Sequence, residues 1–269
     1  MEKELCEELA ELFSAISAGL IPIESGTTIP TPEEDRSIRI SKEEITERLK
    51  KCKKPRGLLY GDIFPHLVTK HASILSIPLQ AIFNAALTNE VWPDPWKIEH
   101  VTPIPKCNQP TSFNELRNIS CTTLFSKVLE FFVLEKAKTE IGANINQFGG
   151  IAGTSTNHYL ISAWNMLLES LDNAERTAVS MISVDFAKAF NTMSHTACVN
   201  AFRHKGSSNH VTNMVSSFLS NRFMKIRVGD TYSDLRPING RRKPSGDTVG
   251  QFPVHSYDRL PREKGRRTQ

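Results

Sequence analysis

No hydrophobic run in the sequence reaches the roughly eighteen residues that a bilayer-spanning helix needs. The first residues, MEKELCEELAELF, are acidic where a secretory leader would be basic. Neither a membrane span nor a signal peptide is expected, and the chain reads as soluble and intracellular, with no targeting signal that separates nucleus from cytoplasm. Cysteine is scarce: Cys6, Cys52, Cys107, Cys121 and Cys198 are odd in number and never closer than fourteen positions. That spacing argues against a disulfide framework and against a clustered zinc site, and reduced thiols are expected. Net charge is small too, at +4 over 269 residues. From Arg241 onward eight basic and three acidic residues give +5, which leaves −1 for Met1 to Gly240. The excess basicity therefore belongs to the tail, and the near-neutral body does not advertise a polyanion partner by composition. The tail also lacks any helical or strand period, whereas the hydrophobic fraction of 39% is enough for one large domain or two ordinary ones.

What is present reads as helices interrupted by short strands. Leu5, Leu9, Leu12, Phe13 and Ile16 share one helical face, with Gly19 placed to stop that helix. After the IPTPEED linker, Ser41 and Glu44 form a capping-box pair that opens a charged helix through Lys51. The run KKCKKPR, five cations in seven residues, would suit phosphate contacts but reads more readily as a solvated helix end. Ile63 to Leu87 predicts two helices broken near Pro78, and VWPDPW an extended connection. A strand is expected over Glu99 to Pro105, then a helix capped by Thr122 or Thr123 that carries Leu124, Val128, Phe131 and Leu134. Asn157 to Leu171 predicts another core-facing helix through Leu160, Ile161, Trp164 and Leu168. In TAVSMISVDFAKAF, β-formers alternate up to Val184 and an aspartate follows at the expected strand end. Helical patterns return at Thr196 to His204 and Val211 to Leu219, before MKIRVGD and YSDLRPI, which read as a hairpin turning at Gly229 and Asp230. The order predicts an α+β fold rather than regular βαβ units.

Taken by pattern alone, Asp185 fits a turn or cap residue better than a metal ligand. Several blocks in order change that. WKIEHVTPIPK (Trp96 to Lys106), LRNISCTTLFSKVLE (Leu116 to Glu130), QFGGIAGTST (Gln147 to Thr156), SVDFAKAFNTMSH (Ser183 to His195) and FLSNRFMKIRVGD (Phe218 to Asp230) resemble, in sequence, the reverse transcriptase region of non-LTR retrotransposons. The resemblance implies a right-hand polymerase fingers and palm fragment over residues 56–240, preceded by a helical extension and linker over 1–55 and followed by a disordered tail over 241–269. It implies an RNA-directed DNA polymerase with an RNA template, a DNA primer and dNTP as partners and Mg²⁺ as cofactor. Asp185 matches the first catalytic aspartate and a metal ligand, with the Phe186 carbonyl as a second oxygen. Lys106 and Arg117 match the fingers cations that meet the triphosphate, and Gln147 and Phe148 match the template and nucleotide pocket. Phe190 matches the ring that excludes a ribose 2′-hydroxyl. Lys106 and Arg117 are expected on an element neighbouring the strand that ends at Asp185, facing one cleft. His195, His204 and His210 are expected to be surface or packing residues.

There are departures. Asn118 stands where many members have proline, and Asn191 where many have a second aspartate. The later pair of adjacent aspartates does not appear, nor does an upstream endonuclease domain. One carboxylate cannot hold two magnesium ions against their mutual repulsion, so the expectation is an incomplete and inactive fragment. Two alternatives remain: a non-catalytic nucleic-acid-binding remnant, and a pseudogene product without function. The tail suggests a frame break near Arg241. Read one base later, the degenerate codons for RKPSGDTVGQFPVH permit G-S-P-Q-G-T-L-L-G-N-F-L-F. That string resembles the family's next block, P-Q-G-[ST]-x-L-[GS]-P-x-L-F, directly after LRPING.

Overall fold

The computed structural model describes residues 2–17, 23, 29–32, 38–52, 63–142, 144, 146–172, 178–186 and 192–238. Phe190, Asn191, the Gly19 helix stop, Lys53 to Arg56 and the tail from Arg241 lie outside these residues. The chain forms two compact units, Met1–Ile141 with Phe190–Gln269, and Gly142–Ala189.

In the first unit the helices are α1 (Glu2–Ser17), α2 (Lys42–Lys50), α3 (Pro65–Lys70), α4 (Ala72–Asn89) and α5 (Leu124–Ile141). The second unit holds α6 (Thr156–Leu171), and the chain then returns to the first with α7 (His195–His204) and α8 (Asn209–Leu219). The strands, all in the first unit, are β1 (Ile98–Pro105), β2 (Leu116–Cys121), β3 (Arg222–Val228), β4 (Thr231–Tyr232) and β5 (Arg236–Ile238). The mixture of helix and sheet agrees with the α+β expectation.

Helix α2 starts as its sequence demands: the Ser41 hydroxyl accepts from the Glu44 amide, and the Glu44 carboxylate accepts from the Ser41 amide. Its Ile45 and Leu49 enter a helical core with Phe83 of α4, Leu129 of α5, Met214 of α8 and Trp92. The expected break at Pro78 is corrected, since α4 runs through Pro78 and the helices part at His71 (φ −108°, ψ 25°). Proline removes one donor and crowds the carbonyl four residues back. Here that carbonyl belongs to Ile74, and both Ile74 and Pro78 lie on the solvent side, where water can satisfy it. The expected extended connection is likewise a 3₁₀ turn over Asp94–Lys97, with Pro95 in its first turn and Lys97 Nζ 3.0 Å from Asp94 Oδ1. At the end of α4, Glu90 takes a left-handed conformation and buries its carboxylate, 2.7 Å from Asn213 Nδ2 and 3.1 Å from His210 Nδ1. His210 is thus a packing histidine.

The sheet runs β2-β1-β3, with β4 and β5 both paired to the far edge of β3. β1 is antiparallel to β2, with Val101 opposite Ser120, and parallel to β3, with Val101 opposite Ile226. The expected hairpin strand is split in two. Tyr232 pairs with Arg227 but Arg236 pairs with Met224, so one extra residue intervenes on the returning side. Ser233 fills this bulge, its hydroxyl accepting from the Ile226 amide and its own amide donating to the Ile226 carbonyl. One sheet face is covered by α1, whose Leu9, Ala10 and Phe13 form a second core with Val101, Met224 and Ile226. Lys3 of α1 also binds Asp234, and Glu7 binds Arg236.

The second unit departs most from expectation. Helix α6 is capped as well as α2, yet it buries none of its residues, which corrects the expected core-facing helix. Residues 178–186 take neither helix nor strand conformation, and Met181, Ile182 and Val184 are exposed, Ile182 by 86%. A strand exists through its ladder partners, and each strand among the described residues is already paired within the first unit.

Candidate functional site

The β1–β2 arm brings two of the expected site residues together. Lys106 lies one residue past β1, and its amide donates to the Glu115 carbonyl at 2.7 Å, extending the ladder. Arg117 pairs with Ile104, two residues before Lys106, and its side chain is exposed. Residues two apart on a strand share a face, so both cations fall on one surface of the arm. Glu115, at the base of the arm, accepts from the Thr111 amide at 2.7 Å, and that bond holds its carboxyl below the usual carboxylate range. It therefore stays ionised while turning the loop rather than pairing with Arg117.

Gln147 and Phe148 belong to a loop that caps α6. The Gln147 side-chain amide donates to the Gly149 carbonyl, and the Phe148 ring meets Tyr159 edge-on with centroids 5.9 Å apart. Thr154 donates to the carbonyls of both Phe148 and Ile151. Gly150 and Gly153 take positive φ (78° and 81°), a conformation that L side chains rarely adopt, which lets the loop fold back onto the helix start. Asp185 is exposed in the 178–186 segment, its Oδ1 accepting from the Phe186 amide at 2.9 Å. Lys106 and Arg117 are thus in the first unit and Gln147, Phe148, Asp185 and Phe186 in the second, while Phe190 lies outside the described residues.

A two-metal polymerase centre needs several carboxylates around ions about 4 Å apart. Among the described residues no group of three or more His, Cys, Asp or Glu side chains is placed to hold a metal ion. The donors present among the described residues, the exposed Asp185 carboxylate and its neighbouring carbonyl, do not fit a pair of magnesium ions.

Residues without a sequence signal gather around Arg222. Its guanidinium lies 2.7 Å from Glu99 Oε2 and 4.4 Å from the Phe218 ring centroid. Burial pushes the nearby Glu130 carboxyl up to about 7, with Arg222 and Lys127 opposing. Burial, aided by Arg222, pulls His195 down to about 4. Glu130 lines a small cavity with Trp92, Val133, Leu134, Val215 and Phe218. No carboxylate cluster or second nucleophile accompanies these groups among the described residues, so they read as structural. On β3, Lys225 and Arg227 form a second cationic row, and a reading of the KIR triplet by strand period would have flagged them.

No family model matches the chain. The Retrovirus-related Pol polyprotein from type-1 retrotransposable element R2 of Popillia japonica is 25% identical over 162 residues, which make up 60% of this chain. The chain spans 22% of that relative's length. No helix among the described residues is long and apolar enough to cross a membrane. The similarity supports a relationship to non-LTR retrotransposons.

Proposed function

We propose that residues 56–240 are the fingers and first palm segment of an RNA-directed DNA polymerase of the non-LTR type, carried here as an incomplete fragment without polymerase activity. The observation that supports this best is the order of the blocks from Trp96 to Asp230, together with the similarity to the R2 polyprotein over 162 residues. On this reading Lys106 and Arg117 meet a triphosphate, because ammonium and guanidinium donors are what phosphate oxygens attract. Gln147 and Phe148 shape the template and nucleotide pocket, Phe190 screens the ribose, and Asp185 is a metal carboxylate that lacks its companions. RNA, a DNA primer and dNTP are the partners, and Mg²⁺ is the ion that a completed centre would take.

The test is primer extension on an RNA template with Mg²⁺, using the chain as written. No incorporation is expected. Incorporation that Asp185→Ala abolishes would overturn the inactivity. The polymerase reading itself is tested in the genomic DNA. The frame one base later, beginning near codon 241, is expected to give P-Q-G and, some tens of codons on, two adjacent aspartates. A frame that gives neither removes the account of the tail and weakens the fragment reading with it.

A further inference from the structure

Helix α4 is 18 residues long, carries no charged side chain, and is apolar on two sides. One side, with Leu79, Phe83 and Leu87, enters the helical core that also holds Ile45 and Leu49 of α2. A helix that is hydrophobic all round is ordinarily buried all round. The other side of α4 is not: Ile74 is 64% exposed, Ile77 57% and Ile82 43%, with Pro78, Ala81 and Ala85 exposed among them. Counted from Ile74, the other five stand three, four, seven, eight and eleven residues on, which is the spacing of a single helical face.

Side-chain size is ordered along this ridge as well as polarity. Laid antiparallel on a second copy of itself about a two-fold axis between Pro78 and Ala81, it sets Ile74 beside the partner's Ala85, Ile77 beside the partner's Ile82, and Pro78 beside the partner's Ala81. Large meets small at the ends, and small meets small at the centre, where the helix axes come closest. A shift of one turn in either direction leaves two of the six positions without a counterpart. The exposed ridge amounts to roughly 450 Å² per copy, so a pair buries about 900 Å², too little for a permanent dimer and in the range of a weak, reversible one.

We propose that the α4 ridge is a self-association surface on which a second copy of this chain packs its own α4, antiparallel about that two-fold axis. Each contact is then made twice, and the uncharged helix brings no like charges together. A charged peptide finds no counter-charge on α4, and a helix lying on an anionic lipid surface would carry cations beside its apolar face, which α4 does not. The Ile74 carbonyl, left without an amide by Pro78, keeps a water beside the partner's small Ala81 side chain. The inference uses none of the residues of the polymerase reading, so it stands or falls apart from it.

The experiment is sedimentation equilibrium of the full 269-residue chain from about 1 to 200 µM, in an Ile182→Lys background so that the exposed run at 178–184 makes no contribution. A monomer–dimer equilibrium is expected. Ile77→Lys sets an ammonium group against the partner's apolar ridge twice in each dimer, and is expected to raise the dimer dissociation constant about tenfold or more; Ile82→Glu is expected to do the same. The double variant Ile77→Lys/Ile82→Glu is expected to return to within about threefold of the parent, because each lysine then lies beside a glutamate of the other copy. Within one helix the two positions are five residues apart and do not meet, so the recovery reports the antiparallel register itself. All these side chains are exposed, and thermal melts check that each variant keeps the parent's fold. Should a single variant melt early, Ala81→Lys, exposed and next to the axis, takes its place with the same expectation. A parent that stays monomeric to 200 µM overturns the proposal. So do single variants that dimerise as the parent does, a double variant no tighter than the singles, or a ladder of larger species in place of a closed dimer.

Discussion

Helix α2, in the first unit, and helix α6, in the second, both open on a serine whose hydroxyl accepts from the amide three residues on and whose own amide is capped in return. Yet α2 buries Ile45 and Leu49 completely, while α6, longer and richer in large apolar side chains, buries nothing and leaves Trp164 64% exposed. The strands repeat the contrast. β1 and the run 178–184 both alternate β-forming residues, but β1 lies between β2 and β3 whereas 178–184 has no ladder. Local sequence decides where an element starts and which side of it is apolar. Whether that side is buried depends on a second surface supplied by another part of the chain.

The largest effect that can break this comparison is a tryptophan deletion on each side. Trp92 is buried, its ring 4.7 Å from that of Phe218 and its Nε1 donating to the Ser126 hydroxyl at 3.3 Å. Trp92→Ala empties a core site and removes one of the two hydrogen bonds of that hydroxyl, which still donates to the Trp96 carbonyl, at a cost of about 3–5 kcal/mol. Trp164→Ala removes a larger exposed surface and is expected to change stability by less than about 0.5 kcal/mol. Urea unfolding of the two variants checks this, and similar losses would show that α6 is buried in solution.

Glu130 and His195 sharpen the buried side through pH. Glu130 is held up at about 7 by burial, against an ordinary value of 4.5, so its contribution is fully present below pH 4.5 and is lost as pH rises to 7. His195 is pulled down to about 4 from 6.5, so its contribution is present above pH 6.5 and is lost as pH falls toward 4. The two slopes oppose and largely cancel between pH 4.5 and 6.5. Relative to wild type, the stability of Glu130→Gln should therefore rise from pH 4.5 to 7, and that of His195→Gln should fall from pH 4 to 6.5. Each pH unit is worth at most about 1.4 kcal/mol. Since Glu130 is only part-buried by surface, about 2 kcal/mol across its window is expected. Parallel pH curves for all three proteins would mean that neither group is desolvated.

The legible parts of the fold are those written in consecutive residues: the α2 cap, β1, α7, α8, and the turn at Gly229 and Asp230. Strand β2 was hidden because LRNISC alternates weakly, its Arg117, Asn118 and Ser120 resembling a loop. The docking of α1 on β3, more than two hundred residues away, and the parallel pairing of β1 with β3 have no local signature at all. The site divides in the same way. Lys106 and Arg117 could be placed together because they flank a short arm. Lys225 and Arg227 could be assigned to the uncovered face only once α1 had claimed the other face and the bulge at Ser233 had set the register.

The smallest effect on stability comes from the unpaired run itself, and it is informative because a different property should change. Met181, Ile182 and Val184 present apolar side chains on a backbone that makes no ladder bonds within the described residues. Such a segment pairs with its like in a second copy, since edge-to-edge association supplies both the missing hydrogen bonds and the missing burial. Ile182→Lys places a charge at its most exposed position and disturbs no packed neighbour, so unfolding free energy should stay within about 0.5 kcal/mol of wild type. Like charges brought together in each paired copy should nevertheless oppose association. Sedimentation velocity is expected to find concentration-dependent self-association in the wild type and its reduction in the variant. A wild type that stays monomeric at every concentration would mean that the run is covered in solution, and the contrast between the two units would then lie in the chain's missing contacts rather than in its exposed surface.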